Sequence, residues 1–112
     1  MSEKWLKLAR LLISNTNAGK LEWSETSDES TYQTIIGQSV VELEKVDYLD
    51  QFIFRLYDAT GELSEQFTDD DIYSATGERE FAALMKLFSD IERKISGRDV
   101  VLDGIIDKLS RL

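Results

Sequence analysis

The sequence predicts an α+β domain: an N-terminal helix, an antiparallel meander of about five strands, and two C-terminal helices packed on the sheet. Three observations carry this. Apolar residues recur at helical spacing near both ends of the chain, at Trp5, Leu8, Ala9 and Leu12 and again from Phe81 to Ile95 and Val101 to Leu109. In the middle the period shortens to two, as in half-buried strands. Glycine- and Asp-rich clusters punctuate those alternating runs at hairpin spacing. At 112 residues the chain makes one domain, 1–112.

The first helix opposes its apolar stripe with Glu3, Lys7, Arg10 and Ser14 and should end within Asn15-Thr16-Asn17-Ala18-Gly19, where a glycine can take a positive φ at the cap. Leu11 falls outside the stripe, near Lys4 and Lys7, as an exposed leucine or part of a partner surface. Alternation from Lys20, with Leu21 and Trp23 on one side and Glu22 and Ser24 on the other, predicts the first strand. Beyond the polar turn Thr26 to Ser30, the second strand sets Tyr32, Thr34 and Ile36 against Thr31, Gln33 and Ile35. Gly37-Gln38 suits a two-residue hairpin turn. The third strand, Ser39 to Val46, turns Val41 and Leu43 inward, and the fourth, Gln51 to Tyr57, does the same with Phe52, Phe54 and Leu56. In Tyr57-Asp58-Ala59-Thr60-Gly61-Glu62-Leu63 the Asp and Gly positions fit a type I turn closed by a glycine bulge. A short, charged fifth strand, Glu62 to Phe67, keeps Leu63 and Phe67 on one face.

Thr68 can cap a short helical turn with Asp71 reaching back. The longest helix should open at Glu78 behind Thr76 or Gly77, present Phe81, Leu84, Met85, Phe88, Ile91 and Ile95 as one stripe, and close at Arg93, Lys94 and Gly97. A last helix, capped near Asp99, would bury Val101, Leu102, Ile105, Ile106 and Leu109, with Gly104 permitting close approach of another backbone. The expected core is Trp5, Leu12, Trp23, Phe52, Phe54, Phe81, Leu84, Phe88 and Ile105.

Charge is distributed unevenly. The net charge is −9, yet residues 1–20 carry four bases and one acid, residues 21–80 three bases and 16 acids, and residues 81–112 six bases and five acids. Such acidity repels nucleic acid and anionic membranes and favours basic partners. No apolar run reaches the length of a membrane span, so a cytoplasmic protein without membrane association is expected. With no cysteine and no histidine, disulfides, thiolate chemistry, histidine bases and the usual zinc sites are excluded, and no cofactor is implied.

The acids and aromatics suggest three chemistries. Asp69-Asp70-Asp71 offers the oxygens that hard cations prefer, but no window starting at Asp58 or Asp69 has the EF-hand glycine at the sixth position, and acids at a helix start satisfy its positive end. A carboxylate pair for glycoside hydrolysis needs two acids about 5 to 10 Å apart, which 16 acids in 60 residues make uninformative. Trp5, Trp23, Tyr32, Tyr48 and Tyr57 could build an aromatic binding site, but Trp5 and Trp23 read as core, whereas alternation puts Tyr57 with Ile53 and Arg55 opposite Phe54 and Leu56. Left uncovered, that face carries Ile35, Ile53 and Tyr57 as an apolar strip, Arg55 beside Glu42 and Glu44, and Glu22 and Glu62 as further acids. Covered by a helix, it would be core.

Phe54-Arg55-Leu56-Tyr57-Asp58-Ala59-Thr60-Gly61-Glu62-Leu63, the run Phe67 to Asp71, the strand Leu21-Glu22-Trp23 and the C-terminal Asp99 to Leu109 together resemble small uncharacterised bacterial and phage proteins of helix, antiparallel sheet and two-helix layout. That resemblance implies the fold and transfers no activity. The function expected is a non-catalytic binding or regulatory module, immunity-protein-, antitoxin- or inhibitor-like. Its acidic sheet surface, built on Ile35, Glu42, Glu44, Ile53, Arg55 and Tyr57, would meet a basic protein. A homodimer whose acidity only confers solubility is the alternative, and a metal-dependent hydrolase stands third.

Overall fold

The alternation in the middle of the chain becomes one antiparallel sheet with strands in chain order, in a computed structural model that describes residues 2–112. The elements are α1 (Ser2–Asn17), β1 (Ser24–Glu25), β2 (Thr31–Ile36), β3 (Ser39–Val46), a 3-10 turn (Asp47–Leu49), β4 (Gln51–Tyr57), β5 (Leu63–Thr68), α2 (Asp69–Thr76), α3 (Phe81–Ser96) and α4 (Arg98–Ser110). Three helices therefore follow the sheet. The capped turn at Thr68 grows into the eight-residue α2, stabilised by a complete capping box in which Asp71 N–H donates to Thr68 Oγ1 and Thr68 N–H to Asp71 Oδ2.

Two turns set the register. Gly37 takes φ +63° in the two-residue loop between the paired Ile36 and Ser39, a conformation that glycine adopts without strain. At the other end of the meander the Asp58 carboxylate accepts from the Thr60 hydroxyl and from the Thr60 and Glu62 N–H groups, which holds its pKa below the usual aspartate value. Gly61 follows at φ +86°. The bulge lies between Leu56 and Tyr57 and pairs Tyr57 with Leu63, so Leu63, expected beside Phe67, instead sits across from Tyr57 and is 52% exposed.

The helices α1, α2 and α3 cover one face of the sheet. Ala9 and Leu12 from α1, Ile72 from α2 and Leu84, Leu87, Phe88 and Ile91 from α3 close over Val41, Leu43, Phe52, Phe54 and Phe67. Trp5 stacks on Phe67, and Phe67 on Phe54, with ring centroids 4.9 and 4.8 Å apart. The indole of Trp23, packed at the core edge, donates to Thr16 Oγ1 at 3.0 Å. At the start of α2 the Asp69 side chain is itself buried: Oδ1 accepts the Phe52 N–H at 2.8 Å, while Oδ2 has no partner. Burial pushes its pKa above the normal aspartate value.

Several expectations are corrected. The first strand is only Ser24–Glu25, because the sheet edge pairs over two residues and the side chains of Leu21 and Trp23 reach the core from irregular chain. Helix α3 begins at Phe81, since Gly77 at φ +76° ends α2 and the chain must turn before a second helix can start. Leu87, absent from the expected stripe, is buried, and Met85 is exposed. The largest difference is α4. It was expected to pack on the sheet and bury Ile105, but every residue from Arg98 to Leu112 is exposed. Gly97 at φ +73° caps α3 and opens α4 at once, directing the last helix away from the sheet, and a Cβ at Gly104 would meet nothing within 4 Å.

Candidate functional site

The second face of the sheet is left open. None of its residues belongs to the core cluster or to the apolar residues packed on it. Strand register orders this face into transverse rows. Ile35, Val40, Tyr57 and Leu63 form an apolar row across β2 to β5. Gln33, Glu42, Arg55 and Gln66 form the polar row beside it. Thr31, Glu44, Ile53 and Thr68 make the third, in which Thr31 is buried at the edge and its hydroxyl donates to Glu29 O.

Arg55 organises the polar row. Its guanidinium donates to Glu44 Oε1 at 2.8 Å and to Gln66 Oε1 at 3.1 Å, and lies 3.6 Å from Glu42 Oε1. Partial burial pulls the Arg55 pKa down, but the Glu44 hydrogen bond and the charges of Glu44 and Glu42 outweigh that and leave it raised. The Tyr57 hydroxyl donates to Glu42 Oε1 at 3.1 Å, and burial, then that bond and the Glu42 charge, raise its pKa. Two carboxylates are thus held by one guanidinium and one phenol. Two carboxylates against one guanidinium give the cluster a formal charge of one net negative.

All six residues singled out from sequence fall on this one face. The structure brings Glu42, Glu44, Arg55 and Tyr57 into one network and sets Ile35 at the exposed end of the apolar row, 68% exposed. Ile53 is not part of that row: it pairs with Glu44 and Thr68, with the polar row between it and Tyr57. Sequence reasoning missed two members, Val40 and Leu63. Val40 was available from alternation, as the neighbour of inward Val41, whereas Leu63 depends on the bulge. Of the expected acids, Glu22 lines a shallow recess of about 410 Å³ with Gln33 and Ile35, and Glu62 is exposed in the hairpin turn.

The other candidate chemistries disperse. Asp71 caps α2, Asp69 holds the Phe52 N–H, and Asp70 accepts from Gln51 Nε2 at 2.8 Å with Arg79 3.6 Å away. Three acids thus serve three different partners. Among the described residues no group of three or more acidic, histidine or cysteine side chains is placed to hold a metal ion, and no helix is long and apolar enough to cross a membrane. Tyr48 stands alone in the 3-10 turn, and Tyr32 packs edge-on against Phe88 at 5.2 Å.

No protein-family model, curated protein or solved structure matches the chain. The likeness to small bacterial and phage proteins therefore gains no support as to origin.

Proposed function

We propose that the open face is a protein-binding surface, non-catalytic, whose partner presents a basic patch around an apolar contact. The observation that carries this is the row Ile35, Val40, Tyr57 and Leu63, an apolar line across four strands that no helix covers, running beside the acidic Glu42–Arg55–Glu44 cluster. Apolar centres rimmed by charge are the usual anatomy of a contact surface. The surrounding segment supports the sign of the partner, with 16 acids against three bases over residues 21–80. Charge of this kind mainly accelerates association and selects partners.

The test is affinity copurification from the native host with the wild type and with Ile35→Arg, at low and high salt. Ile35 is 68% exposed, so the variant retains the fold. A stoichiometric basic protein, released by salt and absent from the Ile35→Arg eluate, is the expected result. Retention that ignores salt, or that survives Ile35→Arg, overturns the reading.

A further inference from the structure

Helix α4 exposes most of its apolar side chains and contributes none to the core. At 100° per residue, Val101, Leu102, Ile105, Ile106 and Leu109 share an arc of about 140°, and all five are exposed, from 46% at Leu102 to 63% at Val101. The radius of gyration, 15.9 Å, exceeds the ~13 Å expected for this length, in keeping with a projecting arm. A helix of 13 residues is marginal in water without a surface to bury its apolar side. Its own support is slight: exposed ion pairs of Arg93 with Asp99 and of Arg111 with Asp107.

We propose that a second copy of this chain supplies that surface, the two α4 helices pairing antiparallel through their stripes. Three points on the molecule favour this occupant. Leu102, Ile105 and Leu109 follow the three-four spacing of a helix-pairing seam. Residues 98–112 hold three acids and three bases, making this the neutral arm of a protein of net charge −9, where two copies meet with least repulsion. Finally, residues 98–103 carry two acids and one base and residues 107–111 one acid and two bases, so an antiparallel pair sets opposite signs side by side and opposes the helix dipoles.

Competing occupants fit less well. The polar side bears Asp99, Asp103 and Asp107, unlike the lysine- and arginine-rich face of helices that lie on anionic membranes. The molecule's own open face is out of reach, because α4 follows α3 after Gly97 alone and α3 lies on the covered side.

Sedimentation equilibrium and light scattering from micromolar to several hundred micromolar protein test the pairing. The expected mass for the wild type is twice 12.8 kDa, and Ile105→Asp/Leu109→Asp should weaken association by about 100-fold or more. Near-ultraviolet signals of Trp5 and Trp23 should not change, since α4 contributes nothing to the core. A single spin label at Arg98→Cys, in a chain without other cysteines, should report a separation of about 20 Å or more for antiparallel helices, against about 10 Å for parallel ones. A monomer at every concentration, a dimer that survives the double aspartate variant, or a short label distance each overturns the proposal. Ile35→Arg should leave the mass unchanged, so the sheet-face reading and this one fail separately.

Discussion

The two faces of the sheet share the same backbone and register, and differ in what lies above them. Along β4, Phe52, Phe54 and Leu56 point into three helices, while Ile53, Arg55 and Tyr57 point away from them. On the first face apolar side chains are locked into stacked rings and tight packing. On the second, neighbouring residues satisfy one another through lateral hydrogen bonds and leave an apolar row uncovered. The helices α3 and α4 repeat the contrast across a single glycine: both carry an apolar stripe, and only α3 buries it. Alternation and amphipathicity thus show which residues are able to be buried, and it is the covering layer that makes some of them core.

The sharpest way to test the contrast is to truncate adjacent residues of β4. Phe54→Ala, removing the inner end of the Trp5–Phe67–Phe54 stack, should destabilise the fold by about 3–5 kcal/mol, while Ile53→Ala should cost less than about 1 kcal/mol, both read from urea unfolding by tryptophan fluorescence. Equal losses would mean that the open face is core after all. Next in size, Leu84→Ala in α3 should cost about 2–5 kcal/mol, and Ile105→Ala in α4 only about 0.5 kcal/mol or less when measured at concentrations that keep the protein monomeric.

A third comparison concerns Asp69, whose buried side chain on the covered side leaves Oδ2 unpartnered. Asp69→Ala leaves the Phe52 N–H without an acceptor and should cost about 1–3 kcal/mol, whereas Asp69→Asn keeps that acceptor. Because burial raises the Asp69 pKa in the folded state above its ordinary 3.8, the native protein binds this proton more tightly than the unfolded chain does. Its contribution to stability is therefore greatest below the ordinary value and declines as pH rises through the native pKa. Unfolding curves of wild type and Asp69→Asn between pH 3 and 7 should diverge upward in favour of the asparagine, over roughly the interval between the two pKa values. Parallel curves would show that the carboxyl is as well solvated folded as unfolded.

Much of the sheet was legible in the sequence. The bounds of β2, β3 and β4 follow from period-two alternation and from turns whose chemistry is local: Gly37 at positive φ, and Asp58 and Gly61 closing the bulged hairpin. The capping box of Thr68 and Asp71 was equally readable, because both partners lie within one turn. Of the site, the six residues share a face because alternation alone requires it. Leu63 was hidden, since a bulge shifts register without changing composition, and the separation of Ile53 from Tyr57 by the polar row depends on how three strands align.

By itself, then, the sequence determined the α+β meander, the inward set of each long strand, the caps, and the concentration of acid in residues 21–80. All of these depend on interactions between residues close in the chain, or on counts of charge. Only the tertiary structure decided that α1, α2 and α3 lie on the same side of the sheet, that the Arg55 face stays open, and that α4 stands away from the body with its stripe exposed. Hydrophobic burial is non-directional. An apolar stripe is equally satisfied by a sheet, a neighbouring helix or another molecule, and the angle at which the chain leaves Gly97 determines which of these it can reach.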